Sequence, residues 1–142
     1  MRTVYRTGAH TKHRLLVHIV FIPKYRKRVL QYVLGKRLRE LLWQGCQMND
    51  WAIENLEILP DHVHLLIQIN PVDSVASVLQ ILKGGTSRVI REEFPELEEF
   101  LWGDSLWSDG YFAETVGRMT ETTMKRYLNT QRNKQEERFS GL

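Results

Sequence analysis

Leu59-Pro60-Asp61-His62-Val63-His64-Leu65-Leu66-Ile67-Gln68-Ile69 carries a turn signal and a strand signal in one stretch. Pro60-Asp61 is turn chemistry: proline presets φ, and a short aspartate side chain can bond to nearby backbone. The residues after it alternate. Val63, Leu65, Ile67 and Ile69 share one strand face, apolar enough to be core; His62, His64, Leu66 and Gln68 share the other. Residues two apart on a strand are separated by ~7 Å and point to the same side. Two imidazoles so placed can converge on one metal ion or one phosphate. Taken alone, the stretch also reads as a strand whose wet face happens to carry two histidines.

The strand pattern extends in both directions. Trp51 to Leu59 reads as a second strand, and only Pro60 and Asp61 separate it from the histidine strand, which predicts an antiparallel hairpin. Further back, Arg14 to Ile22 is nearly continuous apolar and β-branched, the pattern of a strand buried on both faces. His18 lies inside it; a lone histidine there is ordinarily a satisfied core residue, so no role is assigned. Pro23 stops that strand. Lys24, Arg26, Lys27 and Arg28, interleaved with Tyr25, then offer a strand-end site for phosphates and a stacked base. Val29 to Met48 reads as a helix, with Leu34, Leu38, Leu41, Leu42 and Gly45 at helical spacing.

Downstream, Asp73 or Ser74 can cap a helix that runs to about Phe94 on Val75, Val78, Leu79, Leu82, Thr86, Val89 and Ile90. Lys83-Gly84-Gly85 inside it lacks the spacing of a phosphate loop. The glycines are read as points of close backbone approach, and Lys83, Arg88 and Arg91 as a basic edge. The glutamates around Pro95 form an acidic knob that should face away from nucleic acid. Tyr111 to Val116 reads as a short fourth strand ended by Gly117, and Thr120 as the cap of a last helix. Residues 1–12 read as a basic arm and 133–142 as a polar tail.

The order strand, helix, strand, strand, helix, strand, helix is α+β. It predicts a ferredoxin-like split βαβ fold: an antiparallel sheet, two helices on one face, and an extra C-terminal helix over 118–132 that swings about Gly117. The other sheet face should be free for a ligand. The chain of 142 residues is read as one domain. No apolar run nears the ~20 residues of a membrane helix, and no signal peptide is visible. Cys46 is the only cysteine, which excludes an internal disulfide and a thiolate cluster and fits a reducing cytosol. A net charge of +3 tilts mildly toward polyanions.

On the last helix, Tyr127 and Gln131 are one turn apart and project from the same face. A tyrosine hydroxyl is a possible nucleophile and an amide oxygen a possible metal ligand. Two histidines and one amide oxygen leave positions open on a hard cation, which suits Mg²⁺ or Mn²⁺ better than a closed zinc site. Alone, the helix reads as simply amphipathic.

Four blocks then add a resemblance. Asp61-His62-Val63-His64-Leu65-Leu66 resembles the His-hydrophobic-His signature of HUH endonucleases. Phe21 to Leu30, Leu106 to Gly117, and Tyr127 to Gln131 resemble, in order, segments of the TnpA-type single-tyrosine HUH transposases of small bacterial insertion sequences. The resemblance implies a homodimer that cleaves and rejoins single-stranded DNA at transposon ends through a 5′-phosphotyrosine. It implies Tyr127 as nucleophile, His62, His64 and Gln131 as ligands of Mg²⁺ or Mn²⁺, and hairpin DNA as the partner. Sites would be shared between chains, and Lys24, Arg26, Lys27, Arg28, Lys83 and Arg88 are the candidate DNA contacts. Two other readings stay open: a domesticated relative that processes repeated hairpins, and a non-catalytic module that binds single strands on the same fold.

Overall fold

The computed structural model describes residues 14–118 and 129–130. The predicted order is observed as far as the fourth strand, with one unpredicted short helix before it: β1 (Leu15–Phe21), α1 (Tyr32–Met48), β2 (Ala52–Leu59), β3 (His62–Ile69), α2 (Val75–Glu93), a short α3 (Glu98–Leu101) and β4 (Phe112–Arg118). Single 3₁₀ turns occupy Lys24–Arg26 and Pro95–Leu97. The strands form one sheet in the order β2-β3-β1-β4, with every pairing antiparallel. This is the ferredoxin-like arrangement: the two hairpin strands are consecutive, and β1 lies between β3 and β4.

Alternation decides which face is core. Val63, Leu65, Ile67 and Ile69 are buried with Val17, Ile19 and Phe21 against the stripe Leu34, Leu38, Leu42, Cys46 of α1 and Val78, Leu79, Leu82, Ile90 of α2. Each large aliphatic side chain so buried contributes roughly 1.5–3 kcal/mol. Burial also pushes the Cys46 thiol up to about 12, so it is core and not a nucleophile. Ser74 caps α2, its hydroxyl accepting from the Ser77 amide at 3.1 Å. Asp73, the alternative cap, accepts instead from the Trp51 indole at 2.9 Å.

The structure corrects several boundaries and one role. α1 starts at Tyr32 and not at Val29, because the Leu30 amide donates to the Pro60 carbonyl at 2.9 Å and Gln31 is extended. Gly117 does not end β4. It pairs opposite Leu16 beside a register shift between Leu16 and Val17, so it marks an irregularity within the ladder. Gly84 and Gly85 are not points of close approach, since a Cβ at either meets nothing within 4 Å. The close helix crossing is at Gly45, where a Cβ would lie 3.2 Å from Leu82 Cδ2.

The face opposite the helices is also less open than expected. Leu16, Leu66 and Gln68 are buried on it, and Gln68 donates to the buried Glu54 carboxylate. The end nearest the β2–β3 turn forms a cleft. Residues 1–12, Thr120, Tyr127, Gln131 and the tail 133–142 lie outside the described residues; Asn129 and Thr130 are helical.

Candidate functional site

Three chain segments meet at that end of the sheet: the exit of β1, the β2–β3 turn and the first residue of β4. Register brings them together, because Val20 pairs with His64 on one side and with Phe112 on the other. The cleft between them holds about 760 Å³. His18, Val20 and Ile22 line it from β1, Arg26 and Arg28 from the loop that follows, Leu59 to His62 and His64 from the hairpin, and Phe112 from β4.

His62 and His64 do share a face and converge, with ring centroids 4.8 Å apart and planes at 74°. Each ring has a neighbour that restrains it. The Nδ1 of His62 is 2.7 Å from Asp61 Oδ1. An ionised carboxylate can only accept, so in the neutral ring Nδ1 carries the proton and Nε2 keeps its lone pair. His64, 7% exposed, stacks on His18 at 5.6 Å and 18°, with its Nδ1 3.4 Å from His18 Nε2. Phe112 closes the row, edge-on to His18 at 6.3 Å.

Asp61 is held from a second side, since Arg26 Nε donates to its Oδ2 at 3.0 Å. Burial alone would raise this carboxyl, but the hydrogen bonds from His62 and Arg26 outweigh it and keep it below the usual carboxylate range. The arginine reaches Asp61 from an unusual backbone. Tyr25 and Arg26 have φ of 59° and 52°, left-handed for two consecutive non-glycine residues, a conformation that costs on the order of 1–3 kcal/mol each. The turn is pinned from outside: the Lys24 amide donates to the Leu106 carbonyl at 2.7 Å, and Pro23 bridges to Trp107, itself buried.

The six cations expected at nucleic acid separate into groups. Arg26 and Arg28 line the cleft. Lys24 is spent on Asp104 at 2.7 Å, a hydrogen bond that raises its pKa. Lys27 sits 5.4 Å over the Phe100 ring, beside the exposed Tyr25. Lys83 donates to the Ser108 carbonyl at 2.7 Å, and burial lowers its pKa. Arg88 lies on α2, beside Arg91, which pairs with Glu98 of the acidic knob. Sequence reasoning missed His18, Asp61 and Phe112. His18 was visible as a polar residue in an apolar strand, but only the register with β3 shows what it faces.

The donor set fits a hard divalent cation bound at an open site. Two imidazoles converge, one with its tautomer fixed by a carboxylate, the arrangement common to metal-binding histidines. Among the described residues no group of three or more His, Cys, Asp or Glu side chains is arranged to hold a metal. The histidines could supply two ligands of such a site, which would need others; Gln131, the third expected, lies outside the described residues.

Comparison with known proteins gives the family. The family model described as "Transposase IS200 like" matches residues 11–131. The chain is similar to the ISDra2 transposase TnpA of Deinococcus radiodurans, 31% identical over 130 residues, covering 92% of this chain and 93% of that protein. It is 34% identical over 112 residues to the transposase for insertion sequence element IS200 of Salmonella typhimurium, covering 79% of this chain and 74% of the other. A crystal structure of a transposase candidate from Deinococcus radiodurans superposes with a TM-score of 0.71 at 28% identity, over 90% of this chain and 96% of that one. The REP-associated tyrosine transposase bound to a REP hairpin shares the fold, with a TM-score of 0.56 at 15% identity, over 94% and 73% of the two chains. Among the described residues no helix is long and apolar enough to cross a membrane.

Proposed function

The chain belongs to the IS200-like transposase family, and we propose that it cleaves and rejoins single-stranded DNA at the ends of its element through a 5′-phosphotyrosine on Tyr127. The observation that carries this reading is the His62–His64 pair, ring against ring at the mouth of a cleft lined by Arg26 and Arg28. A divalent cation, Mg²⁺ or Mn²⁺, held by His62, His64 and Gln131 would polarise the scissile phosphate.

The chain's own groups do the rest. The Tyr127 oxygen attacks phosphorus, an O–P bond forms, and the 3′-oxygen of the flanking strand leaves. In rejoining, a 3′-hydroxyl attacks the phosphotyrosine, and the tyrosine oxygen leaves. One phosphoester is exchanged for another at each step, so no nucleoside triphosphate is consumed. Arg28, and the donors of Arg26 that Asp61 does not take, offset phosphate charge. The substrate is taken to be a hairpin-bearing single strand, as one structural neighbour is bound to a hairpin. Incubation with such a strand and Mn²⁺, followed by a denaturing gel, should show a covalent protein–DNA band. A strand cut with no such band would replace the tyrosine mechanism by hydrolysis.

Salt dependence separates the cations that touch DNA from those already spent. Arg28→Gln should lower the magnitude of the log–log salt slope of hairpin binding by about 0.7. Lys83→Gln should leave the slope unchanged, because its ammonium is hydrogen-bonded to Ser108. Equal effects of the two substitutions would move the DNA footprint off the cleft.

The reading includes a dimer whose sites combine His62 and His64 of one chain with Tyr127 and Gln131 of the other. Mixing inactive Tyr127→Phe protein with inactive His64→Ala protein should then restore cleavage, because one site of each heterodimer regains every group. Mixed subunits that exchange yet stay inactive would place all four residues in one chain.

A further inference from the structure

Arg26 is 64% exposed at its side chain and Asp61 18%, and an ion pair with one member in solvent adds little to stability. Yet the backbone is left-handed at both Tyr25 and Arg26, and from that turn the Arg26 side chain reaches Asp61. Stability does not explain the contact, and its geometry suggests another use. Arg26 Nε reaches Asp61 Oδ2 at 3.0 Å, while Asp61 Oδ1 accepts from His62 Nδ1 at 2.7 Å. The two oxygens of one carboxylate are thus divided between an arginine and an imidazole. Asp61 sits in a two-residue turn, where its carboxylate would otherwise be free to rotate. With the second oxygen anchored, the first is fixed in direction, and the plane of the His62 ring is fixed with it.

We propose that Arg26 is a positioning residue of the metal centre: it orients His62 through Asp61, so that His62 Nε2 meets a divalent cation before DNA arrives. This rests on the metal-site reading above and adds a residue one contact beyond the ligands. It also explains why the basic run after β1 is not one uniform phosphate patch. Lys24 braces the turn against Asp104, and Arg26 is aimed back into the hairpin. Arginine suits the place because its planar fork sets a direction, which a lysine ammonium does not.

The test is Mn²⁺ binding by the DNA-free protein, read from the loss of the aqueous Mn²⁺ signal in electron paramagnetic resonance. Hairpin affinity in EDTA is measured alongside. Partners that orient a metal ligand typically change metal affinity about 10–100-fold. Arg26→Gln is expected to weaken Mn²⁺ binding about 10-fold and Asp61→Asn by at least as much. Arg26→Lys should fall between wild type and Arg26→Gln. Unchanged Mn²⁺ affinity in Arg26→Gln overturns the proposal, and a fall in EDTA hairpin affinity beside it would leave Arg26 a DNA contact and nothing more. A wild-type protein that binds no Mn²⁺ overturns the metal-site reading together with this one.

Discussion

Tyr127→Phe is expected to leave no covalent protein–DNA adduct, a loss on the order of 10⁴-fold or more in cleavage. The substitution removes one oxygen, and that oxygen is the only atom of the side chain able to form a phosphoester. Phenylalanine keeps the ring. On the proposed reading hairpin binding would rest on charge and shape elsewhere, so it should stay within about twofold of wild type. Adduct yield on a denaturing gel and hairpin affinity by gel shift read the two effects separately. A normal adduct in the mutant would sink the assignment. A parallel loss of binding would turn Tyr127 into a contact residue.

His64→Ala should be nearly as damaging to cleavage and less innocent structurally. His64 is 7% exposed and packed against both His18 and His62. Its removal takes away one proposed ligand and the stacking partner of His18, and it leaves a partial void. We expect cleavage to disappear while stability falls by about 1–2 kcal/mol, a few degrees in Tm. His62→Ala should lose cleavage at smaller cost, since that side chain lies nearer the surface, 13% exposed. Cleavage that survives His64→Ala with the fold intact would remove the ring from the metal site. Complete unfolding would make it a core residue first.

The parts of the fold that were legible in the sequence are those set by short-range rules. Pro60-Asp61 fixed a two-residue hairpin, and the alternation after it fixed which side of β3 faces the helices. The helical stripe on α1 and the Ser74 cap on α2 followed from spacing and from one hydroxyl. Membership of the transposase family was legible too, because four motif blocks occur in the right order.

What was not legible depends on register or on backbone geometry. His18 looked like a core residue because β1 is apolar throughout; pairing with β3 places its ring against His64. Nothing in Tyr25-Arg26 announces a left-handed turn, since neither residue is glycine or asparagine. The contacts of Pro23, Lys24 and Trp107 hold it there. In sequence the basic run therefore reads as one strand-end site for phosphates, although its members go to Asp104, Asp61, Phe100 and the cleft. Gly117 was taken for a breaker because a glycine at a strand end and one at a ladder irregularity look alike in sequence.

The central claim is that DNA becomes esterified to Tyr127, and peptide mapping of the adduct tests it most directly. The wild-type protein is incubated with a hairpin-bearing single strand and Mn²⁺. The adduct is then digested with nuclease and trypsin and sequenced by mass spectrometry. Trypsin cleaves after Arg126 and Arg132, so the nucleotide mass should appear on the peptide Tyr127-Leu128-Asn129-Thr130-Gln131-Arg132, on its tyrosine, and should vanish when EDTA replaces Mn²⁺. A nucleotide carried by another residue, or an adduct that forms equally well in EDTA, would contradict the account.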